Sequence, residues 1–270
     1  MSLVVVRALG LVTVQDAGRA GHMHEGLAPG GALVRAALVS ANRAVGNADD
    51  APAIEVLGRL IIRAEIAIEI ATDRMPRRVL ARDAELVIES EPHRATYLAL
   101  RGGVDASRIL GSASTHAAAQ LGRALVAGQR VSSAGAPERV GVASVAAIRG
   151  GAIRVLPGPD AYAFAPDALA VLLSAPYRVS PQSDRVGTRL VGPVIERSSA
   201  PDRSRPTVKG AVEVPRDGQP IVLGPEHPTT GGYPIVGVIA STDLDRFFAM
   251  RIGGEIVFEV GHVATSRARS

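Results

Sequence analysis

The sequence predicts an all-β protein made of two barrel-like units with a few short helices, and three observations carry that expectation. Short apolar runs rich in β-branched residues recur along the chain, separated by turn residues supplied by 29 glycines and 18 prolines. Helical spacing of apolar residues is confined to a few segments. Finally, LVAGQRV (Leu125–Val131) is echoed by MRIGGEIV (Met250–Val257) near the ends of the two halves. Each has an apolar residue, a glycine three positions later and a β-branched residue entering a strand, and each follows a segment read as a short helix. Such an echo points to duplicated β units. The units are expected near 1–135 and 136–270, with the Ser132–Val140 region as linker.

In chain order, Leu3–Val6 and Leu11–Val14 read as two short strands around Gly10. QDAGRAGHMHEGLAPGG then forms a long loop, because its glycines and Pro29 bar regular structure. Val34, Leu38, Ala41 and Val45 recur at helical spacing, so 33–45 is read as the longest helix, ended by Gly46 and Asn47. LIIRAEIAIEIA alternates, which reads as one half-buried strand with Ile62, Ala64, Ile66, Ile68 and Ile70 facing a core. Glu85–Glu89 and Thr96–Leu100 are further strands, and Gly102–Val104 turns the chain. In the second half, strand Ile153–Leu156 runs into PGPD, a rigid turn. A helix follows, with Pro166 in its first turn, a stripe of Leu169, Leu172 and Leu173, and Pro176 at its end. The Ser-, Pro- and charge-rich stretch Glu196–Arg205 reads as a mobile loop and candidate lid, closed by Lys209 and Gly210. Pro220–Leu223 and Ile235–Ala240 are strands. Thr242 then caps a helix carrying Phe247 and Phe248, and Ile256, Phe258 and Val260 alternate in a last strand before the tail VATSRARS.

Polar chemistry gathers at three places. In GQPIVLGPEHPTTGGYP, Thr229 and Thr230 offer hydroxyls at a strand end, while Gly231 and Gly232 leave backbone amides open to a ligand oxygen before Tyr233 and Pro234 restart a strand. In SPQSDRVG, Gln182, Ser183, Asp184 and Arg185 form the densest polar group: Arg185 can clamp a carboxylate or phosphate, with Asp184 holding it or acting as base, or the two are a surface ion pair in a turn. In VQDAGR, Asp16 and Arg19 either orient polar substrate groups or tie the loop together. His22, His24 and Glu25 lack an evident further ligand, so no metal site is expected. LGSAST lacks the last glycine of a serine-hydrolase elbow, which leaves Ser112 and Ser114 as turn or cap residues.

Composition narrows the function classes. With no cysteine the chain has no disulfide, thiolate zinc site or cysteine nucleophile. A net charge of +4 comes from scattered arginines, with Lys209 the only lysine and few aromatic residues, so no nucleic-acid partner is expected. Apolar runs are too short for a signal peptide or a membrane span, so a soluble, cytoplasmic protein without a membrane partner is expected.

The blocks VQDAGR, NRAVGN, YLALRGGV, LGSAST, VLPGP, SPQSDRVG and VPRDGQPIVL to TTGGYP occur in one order over nearly the whole chain. In that order they resemble the biotin-dependent carboxyltransferase or KipI-antagonist family, which includes the C subunit of bacterial 5-oxoprolinase, proteins once called allophanate hydrolase subunit 2, and the carboxyltransferase region of urea carboxylase. The resemblance implies cyclophilin-like β-barrels and work in a heteromer beside two partners, the KipI-like B subunit and the lactamase-like A subunit. It implies ATP-dependent opening of 5-oxoproline, a small cyclic amide, to glutamate, with magnesium accompanying the ATP. No Walker-type phosphate loop is present. The implied catalytic residues are Asp184, Arg185, Lys209, Thr229 and Thr230, and the implied substrate-binding residues are Asp16, Arg19, Gln182, Gly231, Gly232 and Tyr233. In that reading the Thr229–Gly232 loop holds the lactam oxygen and Lys209 offsets charge during phosphoryl transfer. The family also admits a biotin-dependent carboxyltransferase component, with biotin from another chain, and a non-catalytic antagonist of KipI. Against the family pattern, Val34 stands for an acidic residue, Arg205 and Pro206 for a Glu-Gly pair, Glu213 for glutamine, Glu226 for aspartate and Pro228 for glutamine. These departures alter the hydrogen bonds the cleft can make.

Overall fold

The computed structural model describes residues 2–135, 150–198 and 203–261. The chain is mostly β with a few short helices, and it forms two compact units, Met1–Ile148 and Arg149–Ser270. The linker expected over Ser132–Val140 falls largely on 136–149, and the tail on 262–270, both outside the described residues.

The first unit contains β1 (Ser2–Gln15), α1 (Arg35–Ala44), β2 (Ala53–Ala64), β3 (Ile68–Thr72), β4 (Arg78–Leu80), β5 (Glu85–Glu89), β6 (Thr96–Leu100) and β7 (Arg130–Ser132). Its strands form one sheet in the order β4-β3-β6-β2-β1-β7, with β5 also on β2. The two strands expected around Gly10 are a single one, because Gly10 pairs with Gly58 of β2 instead of turning. At either glycine a Cβ would lie 2.2–2.3 Å from the facing strand's carbonyl oxygen, so only glycine lets the strands approach there. Beyond Gly58, β2 changes partner from β6 (Ile54–Val56) to β5 (Arg59–Arg63), and the sheet curls. The single strand expected over Leu60–Ala71 is two, with a turn between β2 and β3 that leaves Ile66 45% exposed. Alternation continues on both sides of that turn, so the pattern alone did not reveal it.

The expected helix is α1, with Val34, Leu38, Ala41 and Val45 all buried. No side chain of its own caps it. Its entry is held instead by buried Glu55 of β2, whose carboxylate accepts from the Leu33 amide (2.8 Å) and the Tyr97 hydroxyl (2.5 Å); that hydroxyl accepts from the Val34 amide (3.0 Å). The core beneath the sheet includes Leu3, Ile54, Leu60, Ile62, Ile70 and Leu98, each contributing about 1.5–3 kcal/mol on burial.

The second unit contains β8 (Ile153–Pro157), α2 (Ala168–Ser174), β9 (Tyr177–Val179), β10 (Gly187–Val191), β11 (Arg205–Pro206), β12 (Ala211–Glu213), β13 (Ile221–Leu223), β14 (Thr230–Gly231), β15 (Ile235–Ile239), α3 (Leu244–Phe248), β16 (Glu255–Ile256) and β17 (Phe258–Val260). Eight strands form a sheet in the order β16-β9-β10-β13-β12-β15-β8-β17, antiparallel except for β8 and β17, while β11 and β14 pair with each other. Tyr177, Phe247, Phe248 and Phe258 pack with ring centroids 5.0–6.4 Å apart and close one part of its core.

Pro166 precedes α2, whose first residue is Ala168, and is not in its first turn. Three further readings differ. The last strand is two, β16 on β9 and β17 on β8. Of the echoed segments, only the second follows a helix, α3; the first follows turns. Asp243 and not Thr242 is the residue before α3, and its carboxylate accepts from the Arg154 amide and guanidinium (2.7–2.9 Å), which binds α3 to β8.

Candidate functional site

Strand pairing in the second unit brings the two polar loops together. Gly187 of β10 faces Leu223 of β13, so SPQSDR, which precedes β10, and GPEHPTT, which follows β13, leave the sheet at the same end. They are stitched by backbone bonds from Gly224 N to Val186 O (2.8 Å) and from Glu226 N to Arg185 O (3.1 Å). A Cβ at Gly224 would lie 2.3 Å from the Arg185 oxygen, so this contact requires glycine. Arg185 is 3% exposed, and its Nε donates to Oε1 of the likewise buried Glu226 at 2.5 Å. The carboxylate this arginine clamps is therefore the protein's own, and Glu226 is a partner that spacing gave no means of finding. Asp184 is on the turn, its Oδ1 accepting from the amides of Val186 and Gly187, each at 2.9 Å. Gln182 is exposed.

The chain then runs from Glu226 to a short hairpin in which Arg205 pairs with Gly231 and Pro206 with Thr230. Arg205, expected in a mobile lid, is thus held in a ladder; residues 199–202 of that stretch lie outside the described residues. Thr207 extends the hairpin: its amide donates to Thr229 O (3.1 Å), and its hydroxyl donates to Pro228 O and lies 3.0 Å from Nδ1 of buried His227. Arg205 also donates to the fully buried Asp160 carboxylate of the PGPD turn and to the Tyr162 hydroxyl (2.9 Å), while Asp160 accepts from the Ile235 amide (2.8 Å). The PGPD turn and the hairpin, far apart in the chain, are thereby one structure.

Within the hairpin, Thr230 and Tyr233 are exposed, Thr229 and Gly232 half-buried, and Gly231 is taken up in the pairing with Arg205. Behind Gly231 is Glu213 of β12, 5% exposed, with Oε1 buried and without a hydrogen-bond partner. Burial pushes its carboxyl up to about 7. A Cβ on Gly231 would lie 2.5 Å from that oxygen and 2.9 Å from Thr207 Cγ2. Gly231→Ala is expected to cost about 1–3 kcal/mol by displacing Glu213, measured as a fall in the urea midpoint; an unchanged midpoint would show that the carboxyl swings aside freely. Lys209 sits elsewhere in the unit, its Nζ 5.0 Å above the Phe248 ring.

Phosphate binding fits this arrangement poorly. Arg185 holds Glu226, Arg205 holds Asp160 and Lys209 lies over a ring, whereas the hairpin itself presents neutral hydroxyls with a carboxyl beneath. Those groups suit a neutral amide oxygen and not a triphosphate.

Asp16 and Arg19 belong to the first unit. There the Asp16 carboxylate accepts from Ser112 Oγ (2.6 Å), Ser114 Oγ (2.5 Å), Ala113 N (2.7 Å) and Gly18 N (2.8 Å). Burial acts to raise its pKa, but the two serine hydroxyls and two amides outweigh it and hold the carboxyl below its ordinary value. Arg19, 2% exposed, donates to Ser114 O at 2.6 Å. This is the geometry of a tie between VQDAGR and LGSAST, and it gives Ser112 and Ser114 their role as donors. NRAVGN and RGGV also meet: Asn47 accepts from the Gly102 amide (2.8 Å) and donates to Leu100 O (2.8 Å), beside a cleft of about 400 Å³ lined also by Asp105 and Arg108. His22 and His24 both contact Glu25, at 2.9 and 3.6 Å, and among the described residues no group of three metal-ligating side chains occurs. Nor, among them, is any helix long and apolar enough to cross a membrane.

Comparison with known proteins gives this geometry a family. The family profile for the carboxyltransferase domain, subdomain A and B, matches residues 79–260. The C subunit of 5-oxoprolinase from Escherichia coli (strain K12) is 34% identical over 95% of this chain and 90% of its own length. The crystal structure of TTHA0988 superposes with a TM-score of 0.84 at 32% identity, covering 96% of this chain and 55% of that one, so this chain spans about half of that protein. The Kluyveromyces lactis urea amidolyase structure superposes with a TM-score of 0.85 at 22% identity over 97% of this chain and 19% of its own, a likeness of fold. The chain belongs to the carboxyltransferase-domain family, subdomain A and B.

Proposed function

We propose that this chain acts as the C subunit of an ATP-dependent 5-oxoprolinase, opening the lactam of 5-oxoproline to glutamate together with a KipI-like partner and a lactamase-like partner. The observation that carries the reading is the end-to-end match to a 5-oxoprolinase C subunit, 95% of one chain against 90% of the other. By contrast, the similar region of a Lachancea kluyveri urea amidolyase is 16% of that protein. That similarity keeps carboxyl transfer, with biotin from another chain, as the second reading.

In the first reading the half-buried Thr229 and exposed Thr230 hydroxyls and the Gly232 amide receive the lactam oxygen as charge develops on it. Arg185 acts through Glu226, fixing the loop that carries these donors. Opening the lactam adds water across its C–N bond; ATP, with magnesium, would supply the driving force from groups of the assembled enzyme outside this hairpin.

The test is to reconstitute the chain with its two partners and follow glutamate and ADP from 5-oxoproline and ATP. Turnover is expected to require this chain and to fall about tenfold or more with Thr230→Val, an exposed position whose substitution spares the fold. Turnover that persists without the chain overturns the reading.

A further inference from the structure

Glu213 is a buried ionisable side chain with no part in the reaction proposed for the hairpin. Its surroundings are specific. It ends β12, opposite Ile221 of β13 and Ile235 of β15, and the β11/β14 hairpin covers it so closely that Gly231 must lack a side chain. The charged groups on the surrounding elements are engaged elsewhere: Arg205 with Asp160, Glu226 with Arg185, Lys209 over Phe248 and His227 beside Thr207. Oε1 lacks a donor in either protonation state, but only the carboxylate adds a charge held in this buried place without a partner for that oxygen, so the neutral acid is the less costly form.

We infer that Glu213 is a positioning residue: as a neutral acid it seats the Thr230–Gly231 strand, and its ionisation lifts that strand and misplaces the neighbouring Gly232 amide and threonine hydroxyls. Among the described residues the hairpin's ladder has two residue pairs, Arg205–Gly231 and Pro206–Thr230, and Pro206 has no amide to donate, so few backbone bonds oppose movement at Gly231 while the Arg205–Asp160 and Thr207–Thr229 contacts hold the facing strand. The burial that pushes the Glu213 carboxyl up to about 7 sets the change within the physiological range. The catalytic consequence rests on the 5-oxoprolinase reading; the coupling of Glu213 to the hairpin does not.

Two measurements on the full chain separate those parts. In the isotopically labelled protein, the Gly231 and Gly232 amide resonances are expected to shift with one titration between about pH 5.5 and about pH 8.5, and to lose that titration in Glu213→Gln, which keeps the shape without the charge. In the reconstituted complex, kcat/KM is expected to fall about tenfold per pH unit above the same midpoint for wild type and to stay level for Glu213→Gln. Resonances that do not titrate, or that titrate unchanged in Glu213→Gln, overturn the inference. So does a complex that turns over with the same pH profile for both proteins. Turnover indifferent to this chain defeats the 5-oxoprolinase reading instead, and leaves the resonances to decide the role of Glu213.

Discussion

Arg185→Ala is expected to destabilise the second unit by about 3–5 kcal/mol, read as a lower denaturant midpoint, because it strands Glu226 as a carboxylate without its cation in a buried site. Glu226→Gln should cost less, since the amide still accepts from the guanidinium. Replacing both residues with methionine should recover most of the loss, as removing a pair avoids leaving one charge behind. A loss below about 1 kcal/mol for Arg185→Ala would mean that the pair behaves like an exposed one. The consequence for function is practical. A dead Arg185→Ala enzyme says little about catalysis until its folding has been measured, whereas Thr230→Val and Glu213→Gln act at the hairpin without unpairing a buried ion.

Asp16→Ala should cost the first unit a similar amount, about 3–5 kcal/mol, by leaving two buried serine hydroxyls, the buried Ala113 amide and the half-buried Gly18 amide without their acceptor. Its pH dependence has a definite sign. The Asp16 carboxyl is held below its ordinary value, so the unfolded chain takes up this proton first as pH falls. The stabilisation is therefore complete above the ordinary carboxylate range and is lost as pH drops through the folded value. Urea titrations of wild type and Asp16→Ala at about pH 7 and about pH 3 should show the gap between them narrowing in acid; a gap that stays constant would place the stabilisation in packing and not in the carboxylate.

Glu213 works in the opposite direction. Between the ordinary carboxyl range and about 7 the folded chain keeps a proton that the unfolded chain has released, so stability falls as pH rises across that window. Relative to Glu213→Gln, wild type should lose about 3 kcal/mol between about pH 4 and about pH 8 in the same assay. Equal pH dependence in the two proteins would mean that the carboxyl ionises in place without penalty.

Local pattern was enough to define much of this molecule. Glu85–Glu89 and Thr96–Leu100 are strands with the bounds read from the sequence, and Val34, Leu38, Ala41 and Val45 line the buried side of α1 and its two ends, because side-chain direction repeats every 3.6 residues in a helix. The family motifs likewise marked the two loops that come together in the second unit. Pattern failed where a feature depends on what lies across the sheet. The turn at Ile66 interrupts an alternation that both flanking strands continue, and Gly10 bridges what reads as a break because Gly58 faces it. The site's partners belong to the same class: Glu226 is 41 residues from the arginine it holds, Asp16 is 96 residues from Ser112, and Glu213 meets Gly231 through packing alone. Residue type and spacing fix which segments are strands and where polar chemistry collects. Which carboxylate stays charged, which keeps its proton and which backbone leaves room for it are set by burial and by neighbours that only the folded chain assembles.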